Sequence, residues 1–412
     1  VRRCLRAMNE LIFQPRNEIV HKRDGAASPQ FRCSHRKWNL RMAHRQLRVC
    51  MDENEYHFRA ACLPYIKGGG QMRWDSYERK FRDLAGKSGA AQEKIESWLL
   101  YAKELTSNNL PIIFDQTHLA LLLGIDNEYL HRMSNAPEYF YRTFYIRKRN
   151  GKQRRIDEPL PDLKKVQSWI LTEILYKVPC SKFAKAYVPH TSIKDNSRFH
   201  RNQKIVAGVD LKNFFPSIKS GSVLSVFLSM GYNLPTAVFL TRLCCLRESL
   251  PQGAPTSAYL SNLIMRHFDE QISAYCMERK IRYTRYADDL TFSGDFDVAA
   301  LLYRIDGELK YLHLRRNPQK LKVMRGGDRQ KTTGIVVNEK QQLPREYRMK
   351  IRQEIHYIQK FGLDDHLAHI GETRTHYLQH LMGKIEYALF INPKDEKMKA
   401  YREVLRAYRP RE

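Results

Sequence analysis

The chain has 412 residues, a formal net charge of +27 and a pI near 9.7. That length allows two or three structural units with a sizeable core, and that charge argues for a polyanionic partner rather than an ordinary small-molecule enzyme. No run of 18 apolar residues and no signal peptide is apparent, and the 8 cysteines are irregularly spaced, so the expectation is a cytoplasmic protein with no membrane partner. In chain order, residues 1–50 carry 12 Lys/Arg against 3 Asp/Glu with little apolar periodicity, and read as a basic arm. Two readings of the arm stay open. It is disordered, or it lies upstream of the true start, with Val1 marking a non-ATG start or an over-extended frame and Met8 or Met51 the first residue. Cys33, His35, His44 and Cys50 form a conceivable zinc set whose spacing matches no standard finger.

Residues 51–140 are expected to form a helical extension. In QEKIESWLLYAKEL, Ile95, Trp98, Leu99 and Ala102 recur at helical spacing. Asp115 is placed to cap a helix through Leu119, Leu122 and Leu123, which Gly124 would end. AGKS at 85–88 looks like the end of a phosphate loop, but Phe81 stands where the first glycine is required. From 141 the texture changes to short strands. Phe144–Arg149 and Gln153–Asp157 read as a basic β-hairpin turning at Asn150-Gly151, suited to phosphate contacts or simply to protecting a solvated edge. An amphipathic helix is expected over Leu163–Val178. Cys244 and Cys245 sit in an apolar run and read as core thiols. Helices dominate from 343, with Leu378, Leu381, Ile385 and Leu389 on one side of the segment ending in FINP.

Three carboxylates stand out. In RYTRYADDLTFSG, Asp288 and Asp289 fall between strand-forming residues, which places them at the tip of a short hairpin. In KIVAGVDLKNFFPSI, the apolar strand Ile205–Val209 runs into Asp210. A carboxylate at the end of a buried strand is costly unless it meets a cation or a donor. Carboxylates on adjacent strand ends suit Mg²⁺, a hard ion that prefers oxygen ligands, and two such ions can drive phosphoryl transfer. Asp364-Asp365 is a second acidic pair, but no strand precedes it, so it reads as a cap or turn. LPQGAPTSAYLSNLI leads from a turn into a helix, NPQKLKVM puts Lys320 after a turn, and KTTGIVVN reads as one short strand with a glycine entry.

In this order, DLKNFFPSI, LPQGAPTSAYLSNLI, YADDLTF, NPQKLKV and TTGIVVN resemble the successive palm motifs of reverse transcriptases. Two further segments are similar to motifs of bacterial retron reverse transcriptases. NSRFH at 196–200 resembles Asn-Ala-x-x-His with Ser197 for Ala, and TTG at 332–334 resembles Val-Thr-Gly with Thr332 for Val. The resemblance implies an α+β right-hand polymerase: fingers and palm over 141–340, and a helical thumb over 341–412. It implies that Asp210, Asp288 and Asp289, with the carbonyl of Leu211, hold two Mg²⁺ ions. Phe215 would be the steric gate against ribonucleotides. If its segment is extended, only one of Phe214 and Phe215 faces the site. Lys152 and Arg155 would hold the triphosphate, Gln252 and Gly253 would lie against the incoming nucleotide and template, and Lys320 is a candidate proton donor to pyrophosphate. Asn196, His200, Thr333, Gly334, Arg374 and Lys384 would contact RNA, and His376 could join them.

The implied reaction is DNA synthesis from dNTPs on a cognate structured noncoding RNA that is both template and primer source, through a guanosine 2′-hydroxyl. The product would be a branched RNA–DNA molecule. The implied role is anti-phage defence beside a separately encoded effector. Three alternatives remain at this level: a non-retron defence reverse transcriptase, a group II intron-like reverse transcriptase, and an RNA-binding scaffold without activity.

Overall fold

A computed structural model describes residues 74–148, 151–371 and 376–408. The basic arm, the Cys33, His35, His44 and Cys50 set, the turn residues Arg149 and Asn150, and Arg374 all lie outside the described residues. The described chain forms two compact units that alternate along the sequence. The first runs up to Lys177 and takes in Lys219–Ala254; the second comprises Val178–Ile218 and residues from Pro255 onward.

In the first unit, α1 (Trp74–Lys87) and α2 (Gln92–Ser107) bury Tyr77, Phe81 and Ala85 against Ile95, Leu99 and Ala102. The next helix, α3 (Gln116–Leu123), begins as expected: Asp115 accepts the His118 N–H at 2.9 Å, and the helix ends at Gly124 with φ 66. After α4 (Asn127–Asn135), β1 (Tyr141–Arg147) and β2 (Gln153–Pro159) form an antiparallel hairpin. Each strand is longer at its outer end than the sequence pattern suggests. The helix expected over 163–178 is segmented instead. It runs as α5 (Pro161–Trp169), widens into a π turn at Ile170–Ile174 and tightens at Leu175–Lys177. The widened turn keeps Ile170, Ile174 and Leu175 all buried.

The chain then enters the second unit with α6 (Ile193–Arg198), β3 (Ile205–Asp210) and the single turn α7 (Phe214–Ser217). It returns to the first unit for α8 (Ser220–Ser229) and α9 (Leu234–Cys244), where Cys244 and Cys245 are buried as expected. The second unit continues with α10 (Pro255–Ile264), α11 (Arg266–Glu278), β4 (Arg282–Tyr286), β5 (Asp289–Gly294), α12 (Val298–Tyr311) and β6 (Lys322–Arg325). These strands make an antiparallel sheet in the order β4-β5-β3-β6.

KTTGIVVN is not one strand. β7 (Lys331–Thr332) and β8 (Ile335–Val336) pair across a two-residue turn with Thr333 at φ 48 and Gly334 at φ 88. Positive φ at both central residues matches the right-handed twist of the flanking strands. The C-terminal helices follow: α13 (Arg345–Phe361), α14 (Leu363–Ile370), α15 (Tyr377–Ile391) and α16 (Glu396–Ala407). They bury Ile351, Ile355, Leu381, Ile385, Met398 and Leu405 in a core that Val206 of β3 shares. Asp364 and Asp365 occupy the first turn of α14, where negative charge meets the helix dipole.

Candidate active site

The second unit brings the three carboxylates to one end of the sheet. Asp210 is the last residue of β3 and Asp289 the first of β5, and the two are register partners. The β4–β5 hairpin turns through Ala287 and Asp288, with Tyr286 opposite Asp289 and Ala287 at φ 58. The Leu211 N–H donates to the Asp288 carbonyl at 3.0 Å, tying the end of β3 to the turn. Burial, then the neighbouring carboxylates of Asp288 and Asp210, push Asp289 up to about 7, against the pull of Lys322 and Lys320. Lys320 Nζ donates to both Asp210 oxygens at 2.9 Å.

Among the described residues, no three His, Cys, Asp or Glu side chains converge as a ready metal cage. The donor set nonetheless fits a cation. It is all oxygen, one carboxyl is raised by burial and then by crowded negative charge, and another already holds an ammonium.

The remaining expected site residues fall into three groups. Phe214 is in the core while Phe215 is half-exposed, but they sit in a helical turn rather than an extended segment. Arg155, Lys152, Gln252 and Gly253 belong to the first unit. There Arg155 makes a forked pair with Asp157, at 2.8 Å to Oδ1 and 3.1 Å to Oδ2, so its guanidinium is already engaged. The Gln252 carbonyl accepts the Asp157 N–H at 2.9 Å. A Cβ on Gly253 would stand 2.6 Å from the Asp157 carbonyl oxygen, so the close approach this glycine permits is to β2.

The RNA-contact expectation for Asn196 and His200 is corrected: both are fully buried. His200 lies between Ser293 Oγ and Thr284 Oγ1, each at 2.7 Å. The Thr284 hydroxyl donates to Asn196 Oδ1 at 2.6 Å, and Asn196 Nδ2 donates to Thr333 Oγ1 at 3.3 Å. NSRFH and TTG therefore meet in one buried polar chain that also grips β4 and β5. The Thr333 side chain is part of that chain, and Gly334 beside it is exposed. Lys384 pairs with Glu354 at 3.0 Å, whereas His376 is exposed. Sequence reasoning passed over Arg285, a fully buried charge three residues before Asp288. The available signal was an arginine set between the strand-forming residues Thr284 and Tyr286.

An antiparallel sheet with acidic residues at one end, flanked by helices, is the palm of a right-hand polymerase, an α+β fold. Residues 146–373 match the family model described as reverse transcriptase (RNA-dependent DNA polymerase). The chain is 30% identical over 298 residues to the retron Ec86 reverse transcriptase of Escherichia coli, covering 71% of this chain and 89% of that protein. It is also 30% identical over 359 residues to the retron Mx65 reverse transcriptase of Myxococcus xanthus, covering 81% of each. Against the retron Mx162 reverse transcriptase of the same organism it is 33% identical over 295 residues, 62% of this chain and 61% of that one. The chain belongs to the reverse transcriptase family, and is an RNA-directed DNA polymerase of the retron type.

Proposed function

We propose that the protein copies a cognate structured noncoding RNA into branched multicopy single-stranded DNA, primed from a guanosine 2′-hydroxyl. The reading includes an anti-phage role in the bacterial cytoplasm beside a separately encoded effector. Among the described residues no helix is long and apolar enough to cross a membrane. The observation that carries the enzymatic part is the register of Asp210 against Asp289, with Asp288 in the adjoining turn. The retron part is supported by the similarity to retron reverse transcriptases and by the NSRFH and TTG segments.

In this reading Asp210, Asp288, Asp289 and the Leu211 carbonyl hold two Mg²⁺ ions. Bound there, they would supply Lewis-acid charge for the attacking 3′-hydroxyl and the leaving pyrophosphate. Lys320, hydrogen-bonded to Asp210 in the free protein, would pass a proton to the leaving group. Phe215, the half-exposed ring of its pair, excludes a 2′-hydroxyl and so selects dNTPs. Lys152 and Arg155 hold the triphosphate once Arg155 leaves Asp157, and Gln252 and Gly253 face the nascent pair. Residues 141–340 act as fingers and palm, 341–412 as thumb, and 51–140 as a helical extension. Gly334, Arg374 and Lys384 contact RNA.

The test is the nucleic acid that copurifies with the protein expressed with its native upstream region, compared with Asp288→Asn/Asp289→Asn. A discrete DNA is expected that keeps RNA residues after RNase treatment, loses them only when debranching enzyme cleaves a 2′–5′ bond, and is absent from the double variant. Unbranched DNA, or DNA attached to protein, would move the chain to a non-retron or group II intron-like mode of priming. No DNA from either protein would favour a scaffold.

A further inference from the structure

Beneath the Asp288–Asp289 turn lies a charged group that the polymerase reading does not use. Arg285 and Asp269 of α11 are both fully buried. Arg285 Nε donates to Asp269 Oδ1 at 2.8 Å and Nη2 to Oδ2 at 2.7 Å, while the Tyr283 hydroxyl donates to Oδ1 at 2.7 Å. The remaining nitrogen, Nη1, donates to Asn262 Oδ1 of α10 at 2.8 Å and to the Ala287 carbonyl at 3.3 Å. Asn262 is fixed in turn through its Nδ2, which donates to the Ala186 carbonyl at 2.8 Å. The Arg285 backbone is held as well, its N–H by Phe183 and its carbonyl by Lys185.

A buried ion pair contributes little net stability compared with apolar groups of the same shape, so stability alone is a weak reason for this one. What an apolar pair cannot supply is the fork of directed donors. One tine of that fork ends on the carbonyl of Ala287. That residue is held at φ 58, a conformation that costs a side-chain-bearing residue energy, and the next residue is Asp288.

We propose that Arg285 is a positioning residue for the catalytic turn. Anchored by Asp269 and Asn262, its guanidinium fixes the Ala287 carbonyl and with it the direction in which Asp288 and Asp289 present their carboxylates. The proposal rests on the reading that these two aspartates are the metal ligands. Geometry of this kind acts on the chemical step: a misplacement of about 1 Å can cost about 10²-fold in rate. Substrate affinity, set by other residues, is left in place.

The test uses the full chain in primer extension on an RNA template, with the variants Arg285→Met/Asp269→Leu and Arg285→Lys. The first replaces the ion pair by apolar side chains and keeps the core filled; the second keeps the charge and loses the fork. The expected result is a cooperative melt that is lowered, because Tyr283, Asn262 and the Ala287 carbonyl lose partners, yet stays above the assay temperature, with KM for dNTP within about twofold and kcat down by about 10²-fold for the apolar pair. Adding Ala287→Gly to Arg285→Lys should recover part of kcat, because glycine adopts positive φ without the clamp. Wild-type kcat in a folded apolar pair would overturn the proposal. So would activity that merely tracks the folded fraction, a deficit that Ala287→Gly leaves untouched, or failure of both variants to fold. Asp288→Asn/Asp289→Asn, run alongside, separates the two ideas: synthesis by that variant would remove the metal-ligand reading itself, whatever Arg285 does.

Discussion

His200 shows how one side chain can tie acid stability to the architecture of the sheet. Its imidazole is fully buried and bonded on both nitrogens, with Thr284 on β4 and Ser293 on β5. The Thr284 hydroxyl spends its proton on Asn196, so it accepts from Nε2, and Nδ1 accepts from Ser293. Burial, assisted by the Arg282 charge, pushes the imidazole down to about 3. An unfolded histidine titrates near 6.5, so between these values the unfolded chain binds a proton that the folded chain refuses. Its contribution is therefore full above about pH 6.5 and is lost as pH falls toward 3. From pH 6.5 to 5 this amounts to about 2 kcal/mol. Denaturant unfolding at several pH values should show that His200→Gln, though less stable at neutral pH, has an acid slope shallower by about one proton than the wild type. Equal slopes would mean that the histidine is protonated in the fold. Gly253 gives a second test at this scale. With φ 141 and the Asp157 carbonyl 2.6 Å from where a Cβ would stand, Gly253→Ala should cost about 2 kcal/mol or more, read as a lowered urea midpoint.

At the scale of elements, the short helix α6 begins with a capping box. The Asp195 side chain accepts the Ser192 N–H at 3.0 Å and its hydroxyl at 2.6 Å, while Ser192 Oγ accepts the Asp195 N–H at 3.4 Å. The Ser192 hydroxyl bond in particular holds the Asp195 carboxyl below its usual range. Ser192→Ala is expected to lower stability by about 1 kcal/mol, measured by denaturant unfolding, because α6 is too short to form without its cap. Local signals of this kind are what the sequence makes legible. The Asp115 cap, the Gly124 stop and the acidic tip of the β4–β5 hairpin all depend on residues a few positions apart. The turn at Thr333-Gly334 is not legible, because Thr332, Thr333 and Ile335 all favour strands and Thr333 takes positive φ against its preference. The interior location of Asn196 and His200 is hidden for another reason. Their partners lie 84 to 137 positions away, and whether a polar residue is buried depends on whether such partners exist. The same holds for Arg285, whose ion partner is 16 residues earlier on a different kind of element.

Over the whole molecule, the excess of 71 Lys/Arg over 44 Asp/Glu sets how the protein meets RNA. With 71 Lys/Arg against 44 Asp/Glu, basic side chains stay in excess even where described acids are paired, as in Arg142–Glu158, Lys164–Glu158 and Lys204–Asp295. Each phosphate that such a cation neutralises releases condensed counterions, and affinity then falls steeply with salt. With six to ten such contacts, RNA affinity should drop by about 10³- to 10⁵-fold between 50 and 200 mM salt. Fluorescence anisotropy on a labelled structured RNA measures this directly. Asp288→Asn/Asp289→Asn sharpens the test, because it removes negative charge at the proposed chemical centre and alters none of the Lys or Arg side chains. Its affinity should be equal to or slightly above that of the wild type, with the same salt slope, while DNA synthesis is lost. A flat salt dependence would mean that this charge serves something other than the phosphate backbone. A parallel loss of RNA affinity in the folded double variant would mean that the aspartates organise the RNA site rather than the chemistry.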